Sequence, residues 1–297
     1  MKIVITGALG QLGNELASII KSGKSEIGEI SSAYKNAEVY KIDLADLDIS
    51  NSTAVYEYFS KIKPDIIFNC AAFTNVDGCE THREAAFKAN AIGPLNLAKA
   101  AEKTGAKLIH VSTDYVFAGN GSTPYCEWDV INPQSAYGLS KALGEKYVAD
   151  FCNKYFIVRT AWLYGYIGKN FVKTVRRVIK EHGGISVVND QRGNPTNAND
   201  LAHHLLKLAL TDYYGIYHCT GNGECSWYDF ACRIAELSGY KNAVTACTTA
   251  QYNKKFNVPT KRPAYSSLDN MALRCTVGDE MRDWQEAIKE YISKVED

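Results

Sequence analysis

The chain runs to 297 residues, 46% hydrophobic and 22% charged, enough for one large or two intimate soluble domains with a sizeable core. Lysine plus arginine equal aspartate plus glutamate at 33 each, which excludes the basic face of a nucleic-acid binder and the polybasic anchor of a membrane-surface protein. The nine cysteines are scattered without a CxxC pair, no window approaches a membrane span, and the amino-terminal apolar run breaks at Gly7, unlike a signal peptide; the expectation is a reduced, cytoplasmic protein without structural zinc.

Lys2 to Thr6 (KIVIT) reads as a short buried strand. Gly7, Gly10 and Gly13 follow in the run GALGQLG, with Gln11 and Leu12 between the last two, and a helical pattern opens at Asn14. Strand, glycine turn and helix in this order give the motif its meaning. The glycines permit a tight turn and the close approach of a pyrophosphate to the helix amides and dipole. Ser22 to Asn36 is polar and reads as a helix end and loop, and Glu38 to Asp43 as the second strand. Asp43, at its tip, either holds the adenosine ribose hydroxyls or is a loop or cap residue, because its gap from Gly13 exceeds the roughly twenty residues of the usual fingerprint. Asp48 and Ile49 fall where the adenine would lie. No arginine adjoins Asp43 to receive a 2′-phosphate, which leans toward NADH.

Pro64 to Cys70 (PDIIFNC) is a further buried strand. Ala71 and Ala72 beyond it either leave room for a flat cofactor or simply pack closely. Glu80 to Thr104 has helical spacing. Leu108 to Val111 is another buried strand, with Ser112 and Thr113 at its carboxyl end, the end at which open α/β sheets bind ligands. Tyr137 and Lys141 stand at i and i+4, on one face of a helix. A free phenol titrates near about 10, and a neighbouring ammonium lowers that value. Tyr137 is therefore a candidate general acid or base, and Thr113 can polarise the same substrate oxygen. Alternation of strand and helix through Thr160 predicts an α/β fold, a doubly wound parallel sheet of the Rossmann type. Residues 1–161 are read as the dinucleotide-binding domain. Residues 162–297 are read as mainly a smaller substrate-binding lobe, with some segments returning to the sheet. In that lobe helices are expected over 170–182, 227–237 and 284–295, with strands over 185–188 and 214–219.

The segments GALGQLGNEL (7–16), STDYVFAG (112–119), YGLSK (137–141), RTAWLYG (159–165), DQRGNPT (190–196) and RPAYSSLDN (262–270) occur in this order over nearly the full length. Together they resemble the dTDP-4-dehydrorhamnose reductase family of the extended short-chain dehydrogenases/reductases. The resemblance implies NADPH- or NADH-dependent reduction of the 4-keto group of a nucleotide-linked 6-deoxy sugar, giving dTDP-L-rhamnose or a close relative. It implies a nucleotide-sugar substrate, no nucleic acid or membrane partner, and a homodimer as an open possibility. The catalytic trio maps onto Thr113, Tyr137 and Lys141, the last two also touching the cofactor. Sugar contacts map onto Thr113, Asp114, Val116 and Trp162; the alternative for Trp162 is an indole that fills the seam between two lobes. Arg262 either meets the substrate diphosphate or is a loop ion-pair partner. Related dehydratases carry a carboxylate where this chain has Tyr115, which speaks against elimination of water. Some members bind magnesium through glutamates; Glu15 fits one such ligand, but Asn199 occupies another acidic position, so no essential metal is expected. Two other readings use the same motifs: a partner-binding protein like the regulatory subunit of methionine adenosyltransferase, and a sugar-nucleotide 4-epimerase.

Overall fold

Six parallel strands form the centre of the computed structural model, which describes residues 1–258 and 260–295. The first five alternate with helices: β1 (Lys2–Thr6), α1 (Gln11–Ser22), β2 (Glu38–Ile42), α2 (Ser52–Ile62), β3 (Ile66–Asn69), α3 (Gly93–Thr104), β4 (Lys107–Thr113), α4 (Ala136–Phe151) and β5 (Tyr155–Thr160). Each strand is short and apolar because helices cover both faces of the sheet. On one face Leu12, Leu16 and Ile19 of α1 pack with Ile3 and Ile5. On the other, Val55 and Phe59 of α2, Leu97 of α3 and Val148 of α4 pack with Val4 and Ile67.

Beyond β5 come α5 (Phe171–His182), β6 (Ile185–Val188), α6 (Ala198–Ala209), β7 (Gly215–His218), α7 (Trp227–Leu237), β8 (Val244–Cys247), α8 (Thr249–Phe256) and α9 (Trp284–Lys294). Two of these elements belong to the large sheet. Leu201 and Leu205 of α6 join the core beneath α1, and β7 pairs with β5, so the strand order is β7-β5-β4-β3-β1-β2. The remainder forms a smaller lobe in which β6 pairs with β8, and α5, α7 and α9 enclose a third core around Phe230, Ile288 and Tyr291. The order reverses at β1 and β3, which opens a crevice at their carboxyl ends.

The continuous helical spacing expected over Glu80 to Thr104 is interrupted. Helices Val76–Thr81 and Arg83–Phe87 lead into one π-helical turn, Lys88–Ile92, before α3. Asn90 lies in that turn and uses its amide three ways. Its Oδ1 accepts from the Phe73 amide at 2.8 Å, and its Nδ2 donates to the Phe73 carbonyl at 3.1 Å and to Ser140 Oγ at 3.0 Å. The turn thus ties the loop after β3 to α4, one residue before Lys141.

Candidate active site

The carboxyl ends of β1, β3, β4 and β5 open into a cleft of about 1040 Å³ between the sheet and the smaller lobe. Its floor is the turn from β1 to α1. Gly7 has φ +64°, and a Cβ there would stand 2.7 Å from the Ala71 nitrogen; a Cβ on Gly13 would stand 2.4 Å from the Gly7 carbonyl oxygen. These two glycines make the turn possible. Gly10 differs, since a Cβ on it meets only the Gly7 carbonyl oxygen, at 3.2 Å. Gly10 caps α1 without a side-chain hydrogen bond, whereas Asn51, Ser135, Asn170 and Ser226 each cap their helix with a side chain. The first amides of α1 are therefore left for an anion, the fit that a dinucleotide pyrophosphate requires.

Gln11, Leu12, Asp43, Asp48, Ile49, Ala71 and Ala72 line the same cleft. Asp43 Oδ2 accepts from the Leu9 amide at 3.0 Å and Oδ1 from the Leu44 amide at 2.8 Å. The carboxylate tethers the glycine turn to the tip of β2 and stands on the wall beside it.

Above the floor, Ser135 caps α4 by accepting from the Gly138 amide at 3.1 Å. The cap sets Tyr137 in the first turn and Lys141 one turn later. Lys141 is 2% exposed, and its Nζ donates to the Val111 carbonyl oxygen at 2.6 Å. Burial pulls its ammonium down to about 8, with the Glu145 carboxylate acting in the opposite sense. Tyr137 keeps an edge on the cleft, but the protein packed around its phenol pushes the pKa up, and the neighbouring Thr113 hydroxyl only partly offsets this. Here the structure corrects the expectation that Lys141 lowers the phenol: desolvation of the phenolate is the larger effect. The phenol is neutral, which is the form a proton donor needs. Thr113 Oγ1 donates to Asp114 Oδ1 at 2.8 Å and accepts from the Tyr115 amide at 3.2 Å. Asp114 is 3% exposed, and burial pushes its carboxyl up to about 6, opposed by the nearby Ser266 and Thr113 hydroxyls.

Trp162 lines the cleft with φ +47°, a left-handed conformation uncommon outside glycine. Its indole stacks on Trp227, ring centroids 3.6 Å apart and planes 10° apart, and it packs against the core of the smaller lobe. A Cβ on Gly193 would stand 2.7 Å from the indole, so a glycine there gives the ring its place. Trp162 is thus both seam and wall. Arg262 is a loop ion-pair partner that also lines the cleft. Its Nη2 pairs with Asp77 Oδ2 at 3.0 Å, while its charge acts to lower the pKa of the Tyr115 phenol. Val116 requires a correction. Its side chain is wholly buried with Phe117, Ala142 and Leu268, away from the cleft, so any contact at this position is confined to its backbone. Asn199 Nδ2 donates to Glu15 Oε2 at 2.9 Å, which puts an amide donor where a cation would need a second carboxylate.

Trp227 emerges as a cleft residue only in three dimensions, and so does the bracing role of Asn90, which lies outside the cleft and ties Phe73 to Ser140. Trp227 had looked like the first residue of an amphipathic helix, and nothing in its local pattern pairs it with Trp162.

Residues 1–296 match the family model of the RmlD substrate binding domain. The chain is 39% identical to the spore coat polysaccharide biosynthesis protein SpsK of Bacillus subtilis, covering 99% of this chain and 97% of that one. It is 36% identical to the dTDP-4-dehydrorhamnose reductase of Escherichia coli, covering 99% and 98%. A solved dTDP-4-dehydrorhamnose reductase from Clostridium acetobutylicum superposes with a TM-score of 0.91 at 49% identity, over 99% of both chains. One from Bacillus anthracis, in complex with NADP, superposes with a TM-score of 0.91 at 39% identity, again over 99% of both.

Proposed function

The chain belongs to the dTDP-4-dehydrorhamnose reductase family, oxidoreductases that reduce a sugar-nucleotide ketone with NAD(P)H, and we propose that it converts dTDP-4-dehydrorhamnose to dTDP-L-rhamnose with Thr113, Tyr137 and Lys141 as its catalytic residues. The observation that carries this assignment is the grouping of Thr113, Tyr137 and buried Lys141 in one cleft floored by an uncapped helix end.

The nicotinamide of bound NADPH or NADH supplies the hydride. Tyr137 delivers a proton to the carbonyl oxygen, and Thr113 aims its hydroxyl at the same atom, where negative charge develops. Lys141 stabilises the phenolate left behind. Gly7, Gly10, Gln11, Leu12 and Gly13 hold the pyrophosphate; Asp43, Asp48 and Ile49 border the adenosine end; Ala71 and Ala72 leave space beside the ring. Asp114, Trp162 and Arg262 face the sugar nucleotide. In this reading residues 1–161 mainly bind the cofactor and residues 162–297 mainly the substrate.

Epimerases of known structure that resemble this chain are only 18% and 20% identical and share the fold alone. A purely partner-binding role needs no cleft, and the intact trio within one favours catalysis. No helix among the described residues is long and apolar enough to cross a membrane, and the balanced charge suits a nucleotide-sugar substrate in the cytoplasm rather than nucleic acid. The test is a panel of 4-keto-6-deoxy sugar nucleotides with NADH and NADPH, the product read by NMR. Stoichiometric NAD(P)H consumption with a dTDP-L-rhamnose product is expected. Product formed without net NAD(P)H oxidation indicates an epimerase.

A further inference from the structure

Four cationic side chains line the cleft: Lys88, Lys141, Lys169 and Arg262. Three are engaged. Lys88 pairs with Glu84 at 2.8 Å, Lys141 donates to the Val111 carbonyl at 2.6 Å, and Arg262 pairs with Asp77 at 3.0 Å. Lys169 makes no hydrogen bond or ion pair among the described residues. The loop that carries it is nonetheless held in place. Gln11 Oε1 accepts from the Gly165 amide at 2.8 Å and from Asn170 Nδ2 at 3.0 Å, and Asn170 Nδ2 closes the loop by donating to the Gly165 carbonyl at 2.8 Å. Gly168, just before Lys169, would place a Cβ 3.7 Å from Gln11 Cγ. Gln11 is the first residue of α1. A free ammonium is therefore carried on a loop pinned to the helix end whose amides face the cleft.

We propose that Lys169 binds the diphosphate of the dinucleotide, closing over it from the smaller lobe while the glycine turn holds it from below. The proposal rests on the glycine turn being the cofactor floor. A dinucleotide diphosphate is dianionic, whereas a helix N-terminus offers only about half an elementary charge. The other three cleft cations already have partners, so Lys169 is placed to supply the missing neutralisation as a charge-assisted contact.

Lys169→Ala and Lys169→Arg, compared with wild type by fluorescence titration of NADH and NADPH at low and high salt, test this directly. Lys169→Ala should weaken both dinucleotides by roughly tenfold at low salt and by less at high salt. Lys169→Arg should keep most of the affinity. The melting temperature and the ketosugar KM at saturating cofactor should not change. Unaltered dinucleotide affinity in Lys169→Ala overturns the proposal. A loss confined to NADPH assigns the cation to the 2′-phosphate, and a loss confined to the ketosugar nucleotide assigns it to the substrate diphosphate; either result also overturns it. If the wild-type protein binds dinucleotides but reduces no ketosugar, the functional reading fails while the titrations still decide the role of Lys169.

Discussion

Two helices begin at the same cleft with opposite chemistry. The first turn of α1 starts at Gly10, has no side-chain cap, and offers its backbone amides. The first turn of α4 starts at Ser135, whose side chain satisfies the Gly138 amide, and offers a side chain, Tyr137. An uncapped end is an anion site, because unpaired amides and the helix dipole act together. A capped end is a rigid mount, because its amides are already paired and the first turn is fixed. In the proposed function one end holds charge and the other moves a proton.

The largest expected effect removes the proton and leaves the mount. Tyr137→Phe should lower kcat by roughly 10²–10⁴, the range for general acid catalysis, with NAD(P)H affinity close to wild type by fluorescence titration. Turnover near wild type would make Tyr137 a structural tyrosine. The complementary break is at α1. Gly10→Val meets one atom of the protein, the Gly7 carbonyl oxygen 3.2 Å from the new Cβ, which must give by a few tenths of an ångström, and in the proposed function it fills the space of the phosphate. Dinucleotide affinity should fall on the order of a hundredfold as charge-assisted bonds to the amides are lost, with circular dichroism unchanged. Retained affinity would place the pyrophosphate elsewhere.

A pH series separates the two ends without mutation. Lys141 loses its proton near about 8 in the folded protein, so kcat/KM should decline by about tenfold per pH unit above that value, and Lys141→Arg should remove this limb. Stability should move the other way. The unfolded lysine keeps its proton to its ordinary value of 10.5, so between these two values the unfolded state binds more protons and stability rises with pH. Parallel loss of activity and stability over this range would point to partial unfolding instead. The smallest effect tests the mount. Ser135→Ala removes the acceptor for the Gly138 amide and should cost about 1 kcal/mol of stability in urea titration, with a smaller change in kcat than Tyr137→Phe. An unchanged midpoint would show that packing alone holds the first turn of α4.

Much of the cleft could be read from the chain. GALGQLG after a β-branched strand, and Tyr137 with Lys141 one helical turn apart, are local relations, set by backbone periodicity and turn sterics within a few residues. Asp43 is an intermediate case. Its position at a strand tip was legible, but its bonds to Leu9 and Leu44 were not. The buried side chain of Val116 was not legible, because the resemblance places a residue near a site without saying which way its side chain points. Trp162 was legible as an aromatic beyond a strand end, yet its stacking on Trp227 depends on the packing of the smaller lobe.

The sequence by itself determined the alternation of strand and helix, the glycine turn before α1 and the spacing of Tyr137 and Lys141, because each follows from steric and hydrogen-bonding rules between near neighbours. Only the tertiary structure decided the rest. The return of β7 to the sheet, the bridge from Gln11 to Gly165 and Asn170, the pairing of Arg262 with Asp77 and the balance that keeps Tyr137 protonated all join residues far apart in the chain. Such contacts come from which apolar faces bury together and how much water they exclude. Burial is a property of the whole packed molecule, and no short window of residues contains it.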